Sequence, residues 1–397
     1  MPPLQPPENT QLKLTYASVF PFNTQRSLLV ILNSVLLDSL MPSVYSAPHL
    51  QAFTGDILSA SGVTAHIAEE VAEVLVGANL VGHDSHGLLR IPMYMKTMAD
   101  GRMIPDAEPT GVDEKGNTVV MDGNGGNSIF TCKKATELAI ERCKETGVSI
   151  VTFKRIEHIG RLGHYIKMAA QEGYVGFVTV GGGTAGKGAV LPHGSTAPTF
   201  GTNPLAWGIP TGDDTPFVLD YATSVVAEGK LRVARSKGLE VPDGTIVDKD
   251  GKPTNNPWDF YEPGGALLPF GAHKGSALLM LPCLLGTLGE NYDFETGRAH
   301  GFFVMMLDVA RFTDLETYQK SVRAFLDSIK ATDPADGFDE VWAPGDFETH
   351  NRKRRLEEGI EVPDLILEEL QEWEDRWGVE LDSVVVREED KERYCPA

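Results

Sequence analysis

The sequence is poor in cysteine and in positive charge, and it has no long apolar run. Four cysteines stand at 132, 143, 283 and 395 in a chain of 397 residues. None forms a CxxC pair, so neither a zinc knuckle nor a disulfide framework is encoded. They read as reduced thiols of a cytoplasmic protein. Lys and Arg number 35 against 56 Asp and Glu, a net charge of −21. That balance argues against nucleic acid, whose phosphates need clustered cations. It argues equally against an anionic membrane surface. A small anionic ligand remains open, because it needs only a few local cations. The one strongly apolar stretch, residues 27–40, is interrupted by Asn33 and Asp38. It is shorter than the roughly 20 residues of a membrane span. The opening MPPLQPPENT has no basic residue, so it does not read as a signal peptide. Residues 1–45 read as an extension of unknown role, with a mitochondrial presequence as the alternative.

What is present is an ordinary globular composition, 42% hydrophobic and 23% charged, enough for a sizeable core. The apolar spacing Ile67, Val71, Leu75, Ala78 predicts a helix, with Thr64 as its cap. Residues 117–121, 149–156, 174–180 and 302–309 read as strands, and residues 132–145 as a helix. Another helix runs to about residue 172 and stops at Gly173. The Gly- and Pro-rich block 181–275 reads as short strands and loops. Residues 275–289 are nearly all apolar and predict a buried helix. Acidic amphipathic helices close the chain.

Two glycine motifs are decoys. Gly181 to Gly188 (GGGTAGKG) matches GxGxxG after a strand. A dinucleotide fold would need a helix behind it and an acid about 20 residues on, yet Pro192, Pro198 and Pro204 follow. The same run lacks the Ser or Thr that a phosphate loop uses for magnesium. A glycine-rich loop beside a ligand is the better reading. His83 and His86 lack the spacing and third ligand of a zinc site, so no metal is expected. Asp84-Ser85-His86 is too compact for a hydrolase triad, and no GxSxG elbow is present.

The remaining constellation is Ser85, His86, Arg90, His158 and Lys274. Arg offers a planar fork for a carboxylate. His exchanges protons near neutral pH. Together they suit a 2-hydroxy or 2-oxo acid. His164, on an amphipathic helix, reads as structural.

At these residues the chain resembles the type-2 malate/L-lactate dehydrogenases, which are NAD(P)-dependent oxidoreductases without a Rossmann fold. The resemblance rests on GHDSHGLLRIPMY (82–94), HIGRLGHY (158–165), FGTNPLAWGIP (200–210) and FVLDYATS (217–224). It continues through KGLEVPDGTIVDKDGKPTNNP (237–257), GAHKGSALLM (271–280) and APGDFE (343–348). The segments run in family order over roughly residues 47–360.

The resemblance implies a mixed α/β (α+β) fold: a central, mostly antiparallel cofactor sheet flanked by helices from both chain ends. It implies a discontinuous helical domain at 46–120 plus about 300–397, a cofactor domain at 121–299, and a homodimer. It implies His86, Ser85 and His158 as catalytic residues, with His86 favoured for proton transfer, and Arg90 as the carboxylate ligand. Cofactor contacts fall on Asp220, Tyr221, Ala222, His273, Lys274, Gly345 and Glu348. PGDFE carries one residue more than the family's PGHE-like segment. Thr202 and Asn203 match a GTNP turn of architectural role. The expected activity is hydride transfer between NAD or NADP and C2 of a malate- or lactate-like acid. Reduction of a cyclic imino acid, such as piperideine- or pyrroline-2-carboxylate, is the same-class alternative. A non-catalytic nucleotide-binding relative is the alternative of another class. Arg155, Lys187 and Arg232 are candidates for a 2′-phosphate.

Overall fold

The computed structural model describes residues 43–236 and 238–394. The extension and its apolar run, and Cys395, lie outside the described residues.

One seven-stranded sheet organises the chain. Its strands are β1 (Thr110–Lys115), β2 (Thr118–Asp122), β3 (Val148–Lys154), β4 (Tyr174–Thr184), β5 (Leu205–Ile209), β6 (Phe217–Tyr221) and β7 (Arg298–Asp308). Their order is β1-β2-β3-β7-β4-β5-β6. Only β2 and β3 pair in parallel; every other neighbouring pair is antiparallel. A dinucleotide fold of the doubly wound type needs parallel strands, so the mostly antiparallel expectation is borne out. β7 lies between β3 and β4, with Phe303 opposite Thr152 on one side and Thr179 on the other. This strand spans the boundary expected near residue 300.

The main helices are α1 (Ala47–Ala60), α2 (Ala65–Leu80), α3 (Ile91–Ala99), α4 (Ser128–Thr146) and α5 (Leu162–Gln171). They continue as α6 (Glu228–Ser236), α7 (His273–Gly286), α8 (Leu315–Lys330), α9 (Asp346–Glu358) and α10 (Asp364–Trp377). Helix α2 buries Ile67, Val71, Leu75 and Ala78, as their spacing predicts. Thr64 occupies its cap position, but its side chain makes no cap hydrogen bond. Helix α4 begins four residues before the expected 132, because Asn127 caps it by accepting from Ile129 N–H. It ends at Gly147, whose φ of 80° favours a residue without Cβ.

Two large apolar cores stand out among the buried clusters. Phe153, Val178, Phe302 and Val304 of the sheet pack with Tyr165 and Ile166 of α5. Leu50, Phe53, Ile67 and Tyr94 of α1–α3 pack with Leu370 and Trp373 of α10. Helical segments from both ends of the chain thus share one core.

Two expectations are corrected. The glycine run is not a loop: Gly181–Gly183 continue β4, opposite Gly301, His300 and Ala299 of β7. A Cβ on Gly181 would stand 2.5 Å from Cβ of Pro282, and one on Gly183 would stand 2.9 Å from Phe200. Bare backbone lets α7 and Phe200 close onto the strand. Nor is α7 wholly buried. Leu279 and Cys283 face inward, while Met280 (43%), Leu281 (38%), Leu284 (64%) and Leu288 (62%), just past its end, are exposed. An all-apolar helix has no stripe, so composition cannot tell which face is covered.

Candidate active site

The turn after α2 carries most of the site. Gly82, at φ 85°, reverses the chain out of the helix. Two short 3₁₀ turns follow, Asp84–His86 and Leu88–Arg90. Asn79 clamps them: its Oδ1 accepts from Leu88 N–H at 3.0 Å and its Nδ2 donates to Asp84 at 2.7 Å. Gly87 is obligatory there, since its Cβ would lie 2.0 Å from Asn79 Oδ1. Asp84 also takes a bidentate pair from Arg355 at 2.7 and 3.0 Å. It is therefore committed to the frame and makes no triad with His86.

His86 and His158 meet across two elements. Their rings stack at 5.6 Å with 20° between planes. Ser85 Oγ lies 2.9 Å from His86 Nδ1, which leaves Nε2 as the other reactive atom. Arg90 Nε donates to the Ser85 carbonyl at 2.7 Å, so the guanidinium and the Ser-His pair move as one unit. Arg90 Nη2 stands 3.6 Å from Glu228, longer than a good hydrogen bond.

The His158 tautomer follows from its partners. Gly160 N–H can only donate, and it points to His158 Nδ1 at 3.4 Å. Nδ1 is then an acceptor, so the Tyr94 hydroxyl, 2.6 Å away, donates to it. The ring proton of neutral His158 is on Nε2. Burial drives the His86 pKa down to about 3, helped by Arg90. Burial, then Arg90 and His86, hold His158 well below its ordinary range. Both rings are neutral at physiological pH.

His86 and His158 line a cavity of about 560 Å³. Its walls include Ile159, Leu162, the Gly181–Gly183 strand, Thr202, Lys187 and His300. That size lies within the ordinary range of small-molecule sites. Asn203, at φ 38°, ties the cavity floor. Its Oδ1 accepts from Gly182 N–H at 3.0 Å and its Nδ2 donates to the Leu279 carbonyl at 2.7 Å, joining β4 to α7.

None of the residues expected to meet the cofactor lines this cavity; Gly345 and Glu348 wall a second, smaller pocket. Asp220 accepts from Gly163 N–H at 2.7 Å. Tyr221 packs edge-on against Phe270, and Ala222 is half-buried beside it. His273 and Lys274 are exposed at the start of α7. Gly345 precedes α9, and Glu348 holds His83 at 2.8 Å. His83 and His86 therefore serve different partners. Of the three cations considered for a 2′-phosphate, Arg155 is bound to Asp122 and Asn124, and Arg232 is paired with Glu369. Lys187 alone of the three lines the cavity.

Tyr94, Asn79, Arg161 and His300 were not singled out from the sequence. Tyr94 carried a usable signal, standing four residues after Arg90 and so on the same helical face. His300 carried none, because only strand pairing puts it opposite Gly182.

With this geometry in view, relatives decide the family. The sequence model of the family described as malate/L-lactate dehydrogenase matches residues 45–371. This chain belongs to that family. Among curated relatives, the L-lactate dehydrogenase of Cupriavidus necator is 38% identical over 75% of this chain and 87% of its own length. The malate/(S)-sulfolactate dehydrogenase of Methanothermus fervidus is 34% identical over 82% and 95%. Malate dehydrogenase of Entamoeba histolytica superposes with a TM-score of 0.80 at 27% identity, covering 86% of this chain and 99% of that one. The Δ1-piperideine-2-carboxylate reductase of Pseudomonas syringae pathovar tomato gives 0.72 at 30%, over 83% and 99%. The resemblance expected from the segments is thereby borne out, as is the fold class.

Proposed function

We propose that this malate/L-lactate dehydrogenase family member is a nicotinamide-dependent oxidoreductase acting at C2 of a small 2-hydroxy or 2-oxo acid. One observation carries the reading: two stacked, neutral, half-buried histidines on the wall of a cavity, locked through Ser85 to an arginine. The Gly181–Gly183 backbone lines that cavity without side chains, which leaves room for a carboxamide-bearing ring. Asp220, Tyr221, Ala222, His273, Lys274, Gly345 and Glu348 are proposed to hold the rest of the cofactor, NAD or NADP. When bound, the nicotinamide supplies the hydride acceptor or donor.

The chain's own residues do the remainder. Arg90 clamps the substrate carboxylate, exchanging its loose contact to Glu228 for a bidentate one. His86 Nε2 accepts the hydroxyl proton during oxidation and returns it during reduction. Ser85 holds the opposite ring nitrogen. His158 donates its Nε2–H to the same oxygen and stabilises charge that develops there. The carboxylate also offsets the Arg90 charge that depresses His86, so substrate binding makes His86 a better base.

A homodimer is proposed as well, supported by the exposed Met280, Leu281, Leu284 and Leu288. Cytoplasmic residence is proposed on the three buried free thiols, Cys132, Cys143 and Cys283. The second reading, reduction of a cyclic imino acid, is favoured by the likeness to the piperideine-carboxylate reductase. Absorbance at 340 nm with NADH and NADPH, against 2-oxo acids and cyclic imines, tests both readings. Turnover of malate- or lactate-type acids that vanishes in His86→Ala supports the first. Turnover of imines alone replaces it with the second.

A further inference from the structure

The cation that is to hold the substrate carboxylate already has a carboxylate beside it. Arg90 is largely enclosed, its side chain 12% exposed, and Glu228 Oε2 stands 3.6 Å from its Nη2. Glu228 is the first residue of α6, which packs against the turn that carries Ser85 and His86. The approach is close: a Cβ on Gly229 would stand 2.3 Å from Cβ of Ser85. The other Glu228 oxygen, Oε1, accepts from the Tyr261 hydroxyl at 3.0 Å. Tyr261 ends a short helix, Pro257–Tyr261, and the Arg235 guanidinium of α6 lies 4.1 Å from its ring centre. Burial, then Glu228, hold the Tyr261 hydroxyl above its ordinary range, so it stays a donor.

The hydrogen bonds of Arg90 make this neighbour a competitor. A guanidinium grips a carboxylate with two parallel N–H groups. Nε is committed to the Ser85 carbonyl at 2.7 Å. The edge left for a substrate is Nη1 with Nη2, and Nη2 is the atom that faces Glu228. Among the described residues, Glu228 is the only carboxylate that pairs with Arg90. Tyr94, His86 and His158, also close to Arg90, are uncharged at physiological pH.

We propose that Glu228 is a specificity-determining residue: it competes with the substrate carboxylate for Arg90 and disfavours acids that carry a second negative charge. The inference rests on the carboxylate-binding role of Arg90 in the reading above. A small dianionic acid held by Arg90 keeps its second carboxylate within roughly a Debye length of Glu228, about 10 Å at 0.1 M salt, where like charges repel. Lys187 and Arg298, which line the cavity, attract both kinds of acid. The contribution of Glu228 is therefore read as a change in the ratio between them.

Glu228→Gln tests the assignment, because the amide keeps an acceptor for Tyr261 and removes the charge. KM and kcat are measured for a lactate-type monoanion and a malate-type dianion, with circular dichroism as the check on folding. KM for the monoanion is expected to fall about two- to fivefold, the scale of a partly exposed ion pair. For the dianion the fall is expected to be larger, so the dianion-to-monoanion ratio of kcat/KM rises. Glu388→Gln, in the C-terminal helix Glu388–Glu392 and 81% exposed, is expected to leave that ratio unchanged. An unchanged ratio in Glu228→Gln, a KM that rises in it, or an equal rise of the ratio in Glu388→Gln overturns the proposal. Turnover of cyclic imines alone removes the hydroxy-acid reading. Their single carboxylate then supplies the test: a lower KM in Glu228→Gln keeps the proposal and an unchanged one overturns it. With no turnover of any acid, the dehydrogenase reading falls and thermal unfolding with lactate and malate decides. A larger Tm rise in Glu228→Gln than in wild type keeps Glu228 as the competitor, and equal responses overturn it.

Discussion

At the scale of single residues, the site depends on which nitrogen of each histidine is committed. His158 Nδ1 accepts from Tyr94, so its Nε2–H faces the reacting oxygen. Tyr94→Phe strands that nitrogen in a buried setting, at a cost of about 1–3 kcal/mol. We expect kcat to fall roughly ten- to a hundredfold with cofactor affinity unchanged. Steady-state kinetics with fluorescence titration of NADH checks the split, and a matching loss of affinity would make Tyr94 merely structural. His86→Ala removes the proton acceptor itself and should cost about 10²–10⁴ in kcat. The same burial predicts an unusual pH profile. His86 stays neutral down to about pH 3 in the free enzyme, so kcat/KM for oxidation should show no acid limb near the ordinary histidine value of about 6.5. An inflection there that disappears in His86→Gln would show that the ring is hydrated and charged.

At the scale of elements, the glycine strand decides how the cavity is built. Gly181 lets α7 approach until a Cβ would stand 2.5 Å from Cβ of Pro282. Gly181→Val should cost about 1–3 kcal/mol by overpacking. Urea unfolding measures it, and an unchanged midpoint would mean that α7 shifts freely. This strand also shows what the sequence could and could not disclose. Helix α2 was legible because one face is apolar and the other wet, which writes a 3.6-residue period. β3 and the first half of β4 were legible as apolar runs. Gly181–Gly183 have no side chains, so the strand they extend left no periodic trace, and only pairing with β7 defines it. Ser85, His86 and Arg90 were legible because they crowd into one turn. Tyr94 and His158 come together only in the fold, 64 positions apart. The outward face of α7 was invisible for the opposite reason, since every position looks buried in an apolar helix. Replacing Leu284 and Leu288 with Glu should therefore leave the fold intact and release monomers in sedimentation. An unchanged oligomeric mass would remove this face from the proposed dimer contact.

At the scale of the whole molecule, the fold holds a set of histidines uncharged, and that links stability to pH. Burial lowers His86 and His164 to about 3 and His300 to about 4, and holds His158 well below its ordinary value. Unfolding returns each to about 6.5. Between those values the unfolded chain binds more protons than the native one, so stability must fall as pH falls from about 6.5. Above that pH the histidines contribute no slope. Glu348, held below its ordinary range despite burial by its bond to His83, acts in the same direction at lower pH. Asp220, raised by burial, opposes it. His300 isolates the effect best, because among the described residues Arg298 alone acts on it through its charge. In His300→Asn the fall in unfolding free energy between pH 6 and pH 5 should be shallower by about 1 kcal/mol per pH unit. Above pH 7 the stability gap between the two proteins should hold constant. Urea titrations at several pH values decide it, and parallel pH curves for variant and wild type would mean that water reaches this ring through the cavity and the histidine is charged in both states.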